Sequence, residues 1–121
     1  MKKNQRILKN TEFSSMISRR KSFSSPAYIL YVQPVKEKKA RVGISVGKKL
    51  GNAVIRNRTK RQVRALIDSV YTFDESFDSI LIVRPPFLKL DYQERKEMLY
   101  RLHEKASRKF REGKKDEKDS A

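Results

Sequence analysis

Cysteine and tryptophan are absent from the 121 residues, and there is one histidine, His103. Without thiols the chain forms no disulfide, no thiolate metal site and no cysteine nucleophile. A single imidazole cannot build a histidine metal cluster. No apolar run approaches the ~18 residues of a membrane span, and the opening MKKNQRILKN lacks the apolar stretch of a signal peptide. The expectation is a cytoplasmic protein with no membrane association. At this length it is one domain, able to bury roughly 65% of its unfolded surface.

Carboxylates are nearly missing from the first half. Residues 1–67 hold 18 Lys and Arg against Glu12 and Glu37, which is 18 − 2 = +16. Residues 68–121 hold 12 of each sign and sum to zero, so the whole net charge of +16 lies in the first half. Such one-sided charge points to a polyanionic partner, nucleic acid first and an acidic membrane surface second.

What is present reads as alternating helices and strands. Asn10 or Thr11 can cap a short helix carrying Phe13, Met16 and Ile17 at i, i+3, i+4. AYILYVQPV alternates and is rich in β-formers, VKEKK is a charged hairpin loop, and ARVGISV is a second strand. GKKLGN breaks the pattern. Asn52 then caps a helix over 53–71, with Val63, Leu66, Ile67 and Val70 on one face. TFDESFD is an acidic loop, and SILIV is a buried strand ended by Pro85-Pro86. Asp91 and Glu94 form a capping box for a last helix with an apolar stripe of Tyr92, Leu99, Leu102, Ala106 and Phe110. Residues 111–121, REGKKDEKDSA, read as a disordered charged tail behind a single domain over 1–110. The order α-β-β-α-β-α predicts an α+β fold, a two-layer α/β sandwich with helices packed on one small sheet.

The helix over 53–71 has two sides. With Arg56 at zero and about 100° per residue, Lys60 falls near 40°, Arg64 near 80°, Asn57 near 100°, Arg61 near 140° and Arg58 near 200°. Ile55, Leu66, Val70 and Val63 gather at about 260–340°. Like charges at i, i+4 destabilise a helix by roughly 0.2–0.5 kcal/mol per pair, and Arg56 and Arg58 stand where the helix dipole disfavours cations. Phosphates would relieve both costs. Arginine and asparagine also suit directed hydrogen bonds to phosphates, sugars and base edges.

Catalytic motifs fail on context. GISVG, residues 43–47, matches the G-x-S-x-G elbow of serine hydrolases, yet Ser45 lies mid-strand and the sole histidine lies in a helix. Read as a phosphate loop, the same stretch is one residue short, and Lys49 occupies the Ser/Thr position that would hold magnesium. His103 reads as a solvent-edge helix residue, and no carboxylates pair for acid–base work.

RVGISVGKKLGNAVIRNRTKRQVR, with its Arg56-Asn57-Arg58 core, closely resembles the signature of the bacterial ribonuclease P protein component. RILKNTEF, AYILYV and ILIVRPP fit the same family in order and spacing, so the resemblance spans about residues 4–110. It implies a ribosomal-protein-like fold with a left-handed β-α-β crossover, an exception to the right-handed rule. It also implies the accessory subunit of an RNA-based endonuclease that removes the 5′ leader from precursor tRNA. In that family the catalytic RNA and its magnesium ions perform the hydrolysis, with no protein-bound cofactor and no obligate protein partner. Carried over by position, Lys48, Lys49, Asn52, Arg56, Asn57, Arg58, Lys60, Arg61 and Arg64 would meet the catalytic RNA. Phe13, Ile17 and Tyr31 would line a cleft for the leader, with Arg84 at its edge. Ile17 stands where the family commonly carries an aromatic. Phe13 and Tyr31 could stack on unpaired bases; the alternative is that both are core aromatics, Phe13 sharing a stripe with Met16 and Ile17.

Overall fold

A four-stranded sheet takes α2 and α3 on one face and α1 on the other, in a computed structural model describing residues 5–7, 10–19, 21–36 and 39–119. For residues 10 and 111–119 the backbone alone is described. The order is α1 (Asn10–Ser18), β1 (Ser22–Ser24), β2 (Tyr28–Pro34), β3 (Val42–Val46), α2 (Ala53–Val70), β4 (Phe77–Val83) and α3 (Tyr92–Asp119), with 3-10 turns at Lys48–Leu50 and Pro85–Lys89. The expected α+β sandwich forms, with one addition. Strand β1 is three residues long, too short for alternation to announce it.

Strand order across the sheet is β1-β2-β4-β3. β4 is antiparallel to β2 and parallel to β3, so α2 is the crossover of a β3-α2-β4 unit. Alternation assigns the faces. Tyr28, Leu30, Val32, Leu81 and Val83 point to α2 and α3 and join Val63, Leu66, Ile67, Leu99, Leu102 and Ala106 in the main core. Ile80, on the other face, packs with Ile7 and Met16 beneath α1, and Phe13, Tyr31 and Ile82 complete that smaller cluster.

Several local expectations hold and others shift. Asp91 Oδ1 accepts from the Glu94 amide at 2.8 Å while the Asp91 amide donates to Glu94 Oε1 at 3.3 Å, the reciprocal capping box. Tyr92 leaves the stripe and is 57% exposed. Arg95 takes the inward position instead: its guanidinium lies 4.1 Å over the Phe87 ring and its Nε donates to the Phe87 carbonyl at 2.9 Å. Leu99 lies one helical turn beyond Arg95, so an arginine stem serves as core at the helix start. The acidic loop is a built structure. Phe73 is buried at a left-handed φ of 66°, and Glu75 accepts from the Thr72 and Phe73 amides at 2.8 Å each.

His103 is another correction. It is not a solvent-edge residue: its Nε2 lies 3.1 Å from Glu75 Oε2, and its ring meets Tyr71 edge-on at 4.7 Å. Burial would raise the Glu75 carboxyl, but the His103 contact and the Thr72 amide and hydroxyl outweigh it and hold the group at about 2. The histidine fastens α3 to the loop before β4. Helix α3 continues to Asp119. The tail expected over 111–121 falls on residues whose side chains, and at 120–121 the backbone, lie outside the described residues, as do 37 and 38 of the charged hairpin loop and the side chain of Asn10.

Candidate nucleic-acid interface

Two local devices aim α2. Gly51 has φ 137°, and a Cβ there would meet Ile55 Cδ1 at 3.0 Å, so this turn requires glycine. Asn52 follows as N-cap, its Oδ1 accepting the Ile55 amide at 3.1 Å. The helix is then seated by Val63, Leu66 and Ile67, and by Thr59, whose hydroxyl is satisfied by the Ile55 carbonyl at 2.8 Å. Seating that stripe fixes the opposite side.

On the opposite side Asn57, Arg58 and Arg61 are exposed, and Arg56, Lys60 and Arg64 run partly buried along one flank of the stripe. Among the described residues, no ion pair or side-chain hydrogen bond engages any of the six. Arg56 Nε is buried without a partner. A donor shielded from water and unpaired costs about 1–3 kcal/mol until an acceptor reaches it. Lys48 and Lys49 are exposed in the turn just upstream. Asn52 sits with them, but its carbonyl oxygen is already the helix cap, leaving its Nδ2 to donate. Val54, which the charge pattern did not single out, is 67% exposed within the same arc.

Carboxylates are directed elsewhere. Asp78 and Glu12 both meet Arg41, at 3.4 and 2.8 Å from its Nη2, and the Arg41 amide donates to Asp78 Oδ1 at 2.9 Å. This buried group binds α1 to β4 and to the start of β3. Lys39 pairs with Asp74 at 2.8 Å and Arg101 with Glu97 at 2.6 Å. No pattern of spacing could have announced the Glu12–Arg41–Asp78 group, since its members are 29 and 37 residues apart.

The second surface is the sheet face under α1. Tyr31, Ile80 and Gly43 lie in one cross-strand row, and Ile29, Ile82 and Ser45 in the next. Helix α1 covers the first row, with Phe13 and Tyr31 half-buried in its cluster. The second row is left partly open, a groove floor of two isoleucines and one hydroxyl. Ile17, a turn beyond Phe13, is 36% exposed. Arg84 extends the alternation of Ile80 and Ile82 and lies about 13 Å along the strand from Ile80; its Nη1 donates to the Ser25 carbonyl at 3.2 Å. The structure thus unites Phe13 with Tyr31, leaves Ile17 at the rim, and holds Arg84 at the groove's end, next after Ile82 on the same face. The aromatics serve the cluster with their buried edges and solvent with the rest.

Among the described residues, no group of three or more His, Asp or Glu stands close enough to hold a metal ion. No described helix is long and apolar enough to cross a membrane.

A small, strongly basic α+β protein, with a cationic helix face that has no partner among the described residues, is the class this geometry defines. The sequence pattern of ribonuclease P matches residues 1–107. The ribonuclease P protein component of Bacillus velezensis is 39% identical over 109 residues, 88% of this chain and 93% of that protein. Its counterpart from Streptococcus agalactiae is 40% identical over 93 residues, 77% of this chain and 85% of that one. The solved ribonuclease P protein of Staphylococcus aureus superposes with a TM-score of 0.74 at 32% identity, covering 84% of this chain and 94% of that one. That of Thermotoga maritima gives 0.66 at 26% identity, covering 80% and 94%. The chain belongs to the ribonuclease P protein family.

Proposed function

We propose that this chain is the protein subunit of a ribonucleoprotein endonuclease that removes the 5′ leader from precursor tRNA. It binds the catalytic RNA through the α2 arc with Lys48, Lys49 and Asn52, and it takes the leader in the groove edged by Phe13, Ile17, Tyr31 and Arg84. Hydrolysis belongs to the RNA and its magnesium ions. Among the described residues no group of carboxylates and histidine is placed to cage magnesium, and magnesium held by few protein groups is ordinarily held by phosphates. The chain's contribution is electrostatic. Cations docked on folded RNA lower the repulsion between that RNA, the substrate and the metal ions they share.

The observation that carries this reading is the α2 arc: cations and an amide with no partner among the described residues, while Glu12, Asp78 and Glu75 are engaged elsewhere. The groove supports the second half. Its floor is apolar with one hydroxyl, and its aromatic edges suit unpaired bases, for which each stacking contact is worth about 1–3 kcal/mol.

Cleavage of precursor tRNA at limiting magnesium, with RNA alone, protein alone and both together, tests the proposal. Both together should cleave where either alone is slow. Equal rates with and without protein, or cleavage by protein alone, would overturn it.

A further inference from the structure

Phe13 lies on a strand that has no side chain to receive it. Gly43, buried in mid-β3, pairs across β4 with Ile80, which pairs in turn with Tyr31. A Cβ built on Gly43 would stand 2.6 Å from Phe13 Cζ, 3.0 Å from Cε2 and 3.2 Å from Cε1. The first distance is far inside van der Waals contact, so ring and methyl cannot share the place. Gly43 is therefore a notch in the sheet, and the end of the Phe13 ring fills it.

The ring has little room to yield. Phe13 has two side-chain torsions, and its helix is pinned on either side of it. Glu12 is tied to Arg41 at 2.8 Å, and Met16 is buried beneath the helix. An alanine at 43 would either tip the ring outward over Ile82 and Ser45 or lift α1 from the sheet. Each movement changes the groove floor that Phe13 borders.

We infer that Gly43 is a positioning residue for the leader groove: by admitting the Phe13 ring into the sheet, it sets the depth and width of the opening between α1 and the Ile29–Ile82–Ser45 row. The inference rests on the proposal that this groove takes the leader. It also gives the GISVG stretch a role unrelated to the hydrolase elbow it mimics. Its first glycine receives a ring, and its serine is the polar group on the groove floor.

The test uses protein assembled with its RNA subunit and compares affinity for precursor tRNA with affinity for mature tRNA. Gly43→Ala should reduce the preference for precursor by about tenfold, the scale of one base-stacking contact, while affinity for the RNA subunit is kept. Phe13→Ala should lose a similar preference, and Phe13→Ala/Gly43→Ala should be no worse than Phe13→Ala, since the methyl then has nothing to displace. Should Gly43→Ala also weaken folding or RNA-subunit affinity, the double variant should fall no lower than Phe13→Ala in either; a further drop would overturn the inference. Retained preference in Gly43→Ala together with loss in Phe13→Ala would also overturn it. Retained preference in Phe13→Ala would overturn the groove reading itself.

Discussion

Replacing Lys60 by glutamine separates the two roles that a helix cation can have, because the structure assigns them opposite signs. Lys60 lies at i+4 from Arg56 and at i−4 from Arg64, and none of the three has an acidic partner among the described residues. Glutamine keeps the length and helix propensity of lysine and removes the charge. Two like-charge contacts of roughly 0.2–0.5 kcal/mol vanish, so the free protein should gain about 0.4–1 kcal/mol. For a chain of this size that raises the melting temperature by about 2–4 °C. Binding to the RNA subunit should move the other way. Loss of one phosphate contact is worth about 1–2 kcal/mol, roughly five- to thirtyfold in Kd, and lowers the slope of log K against log salt by about 0.7–0.9. Thermal melts and a salt series of binding isotherms measure both. A lower melting temperature would mean that Lys60 has a partner within the fold. Unchanged affinity and slope would mean that the arc does not face RNA.

Tyr31→Ala should weaken precursor tRNA relative to mature tRNA by roughly five- to a hundredfold in competition binding and leave RNA-subunit affinity unchanged. Equal weakening of both tRNAs would contradict the groove assignment. Arg41→Ala strands the buried carboxylate of Asp78 and releases Glu12, and should cost about 3 kcal/mol or more in urea unfolding; a cost below 1 kcal/mol would remove the ion group as the clasp of α1. Glu75 is held at about 2 against an ordinary 4.5. A depressed carboxyl stabilises above its unfolded value, and that stability is lost as pH falls through the folded one. The advantage of wild type over Glu75→Gln should therefore be full at pH 5 and shrink toward pH 2. The Glu75 side chain is only 4% exposed, so most of the shift is kept, roughly 2–3 kcal/mol at about 1.4 kcal/mol per pKa unit. A gap between the two proteins that holds constant from pH 5 to pH 2 would refute this.

The elements visible in the sequence were those with long periods. Helix α2 announced both its apolar stripe and its cationic arc, and its Asn52 cap is where the glycine break located it. The capping box of α3 was equally readable, since Asp91 and Glu94 are neighbours in sequence. Strand β1 was not, because three residues carry no period. Spacing alone assigns Tyr92 to the stripe, and spacing cannot tell that Tyr92 is exposed while Arg95, about 60° away round the helix, lays its stem on Phe87. Sequence alone reads His103 as a solvent-edge helix residue because its partner, Glu75, stands 28 residues away in a loop. The α1 cluster was half legible. Phe13, Met16 and Ile17 marked a face, but which residue meets the sheet and which meets solvent depends on a glycine in another strand.

The placement of acidic residues decides between a charged face that is merely solvated and one prepared for a partner. A soluble helix face can balance itself by mixing signs, as α3 does with Glu97 and Arg101 at 2.6 Å. The fold could also have balanced α2 from outside, since the second half carries 12 carboxylates. Among the described side chains, five are occupied elsewhere: Asp78 by Arg41, Glu75 by His103 and the loop amides, Asp74 by Lys39, and Asp91 and Glu94 by the start of α3. Each of these tasks is internal and structural. The repulsion within Arg56, Lys60 and Arg64 is left standing, though one glutamate at position 57 or 61 would relieve part of it. A fold that pairs these carboxylates locally, and leaves the arc without an acidic partner among the described residues, lowers its electrostatic energy when an anion binds there, which is what the proposed RNA contact supplies.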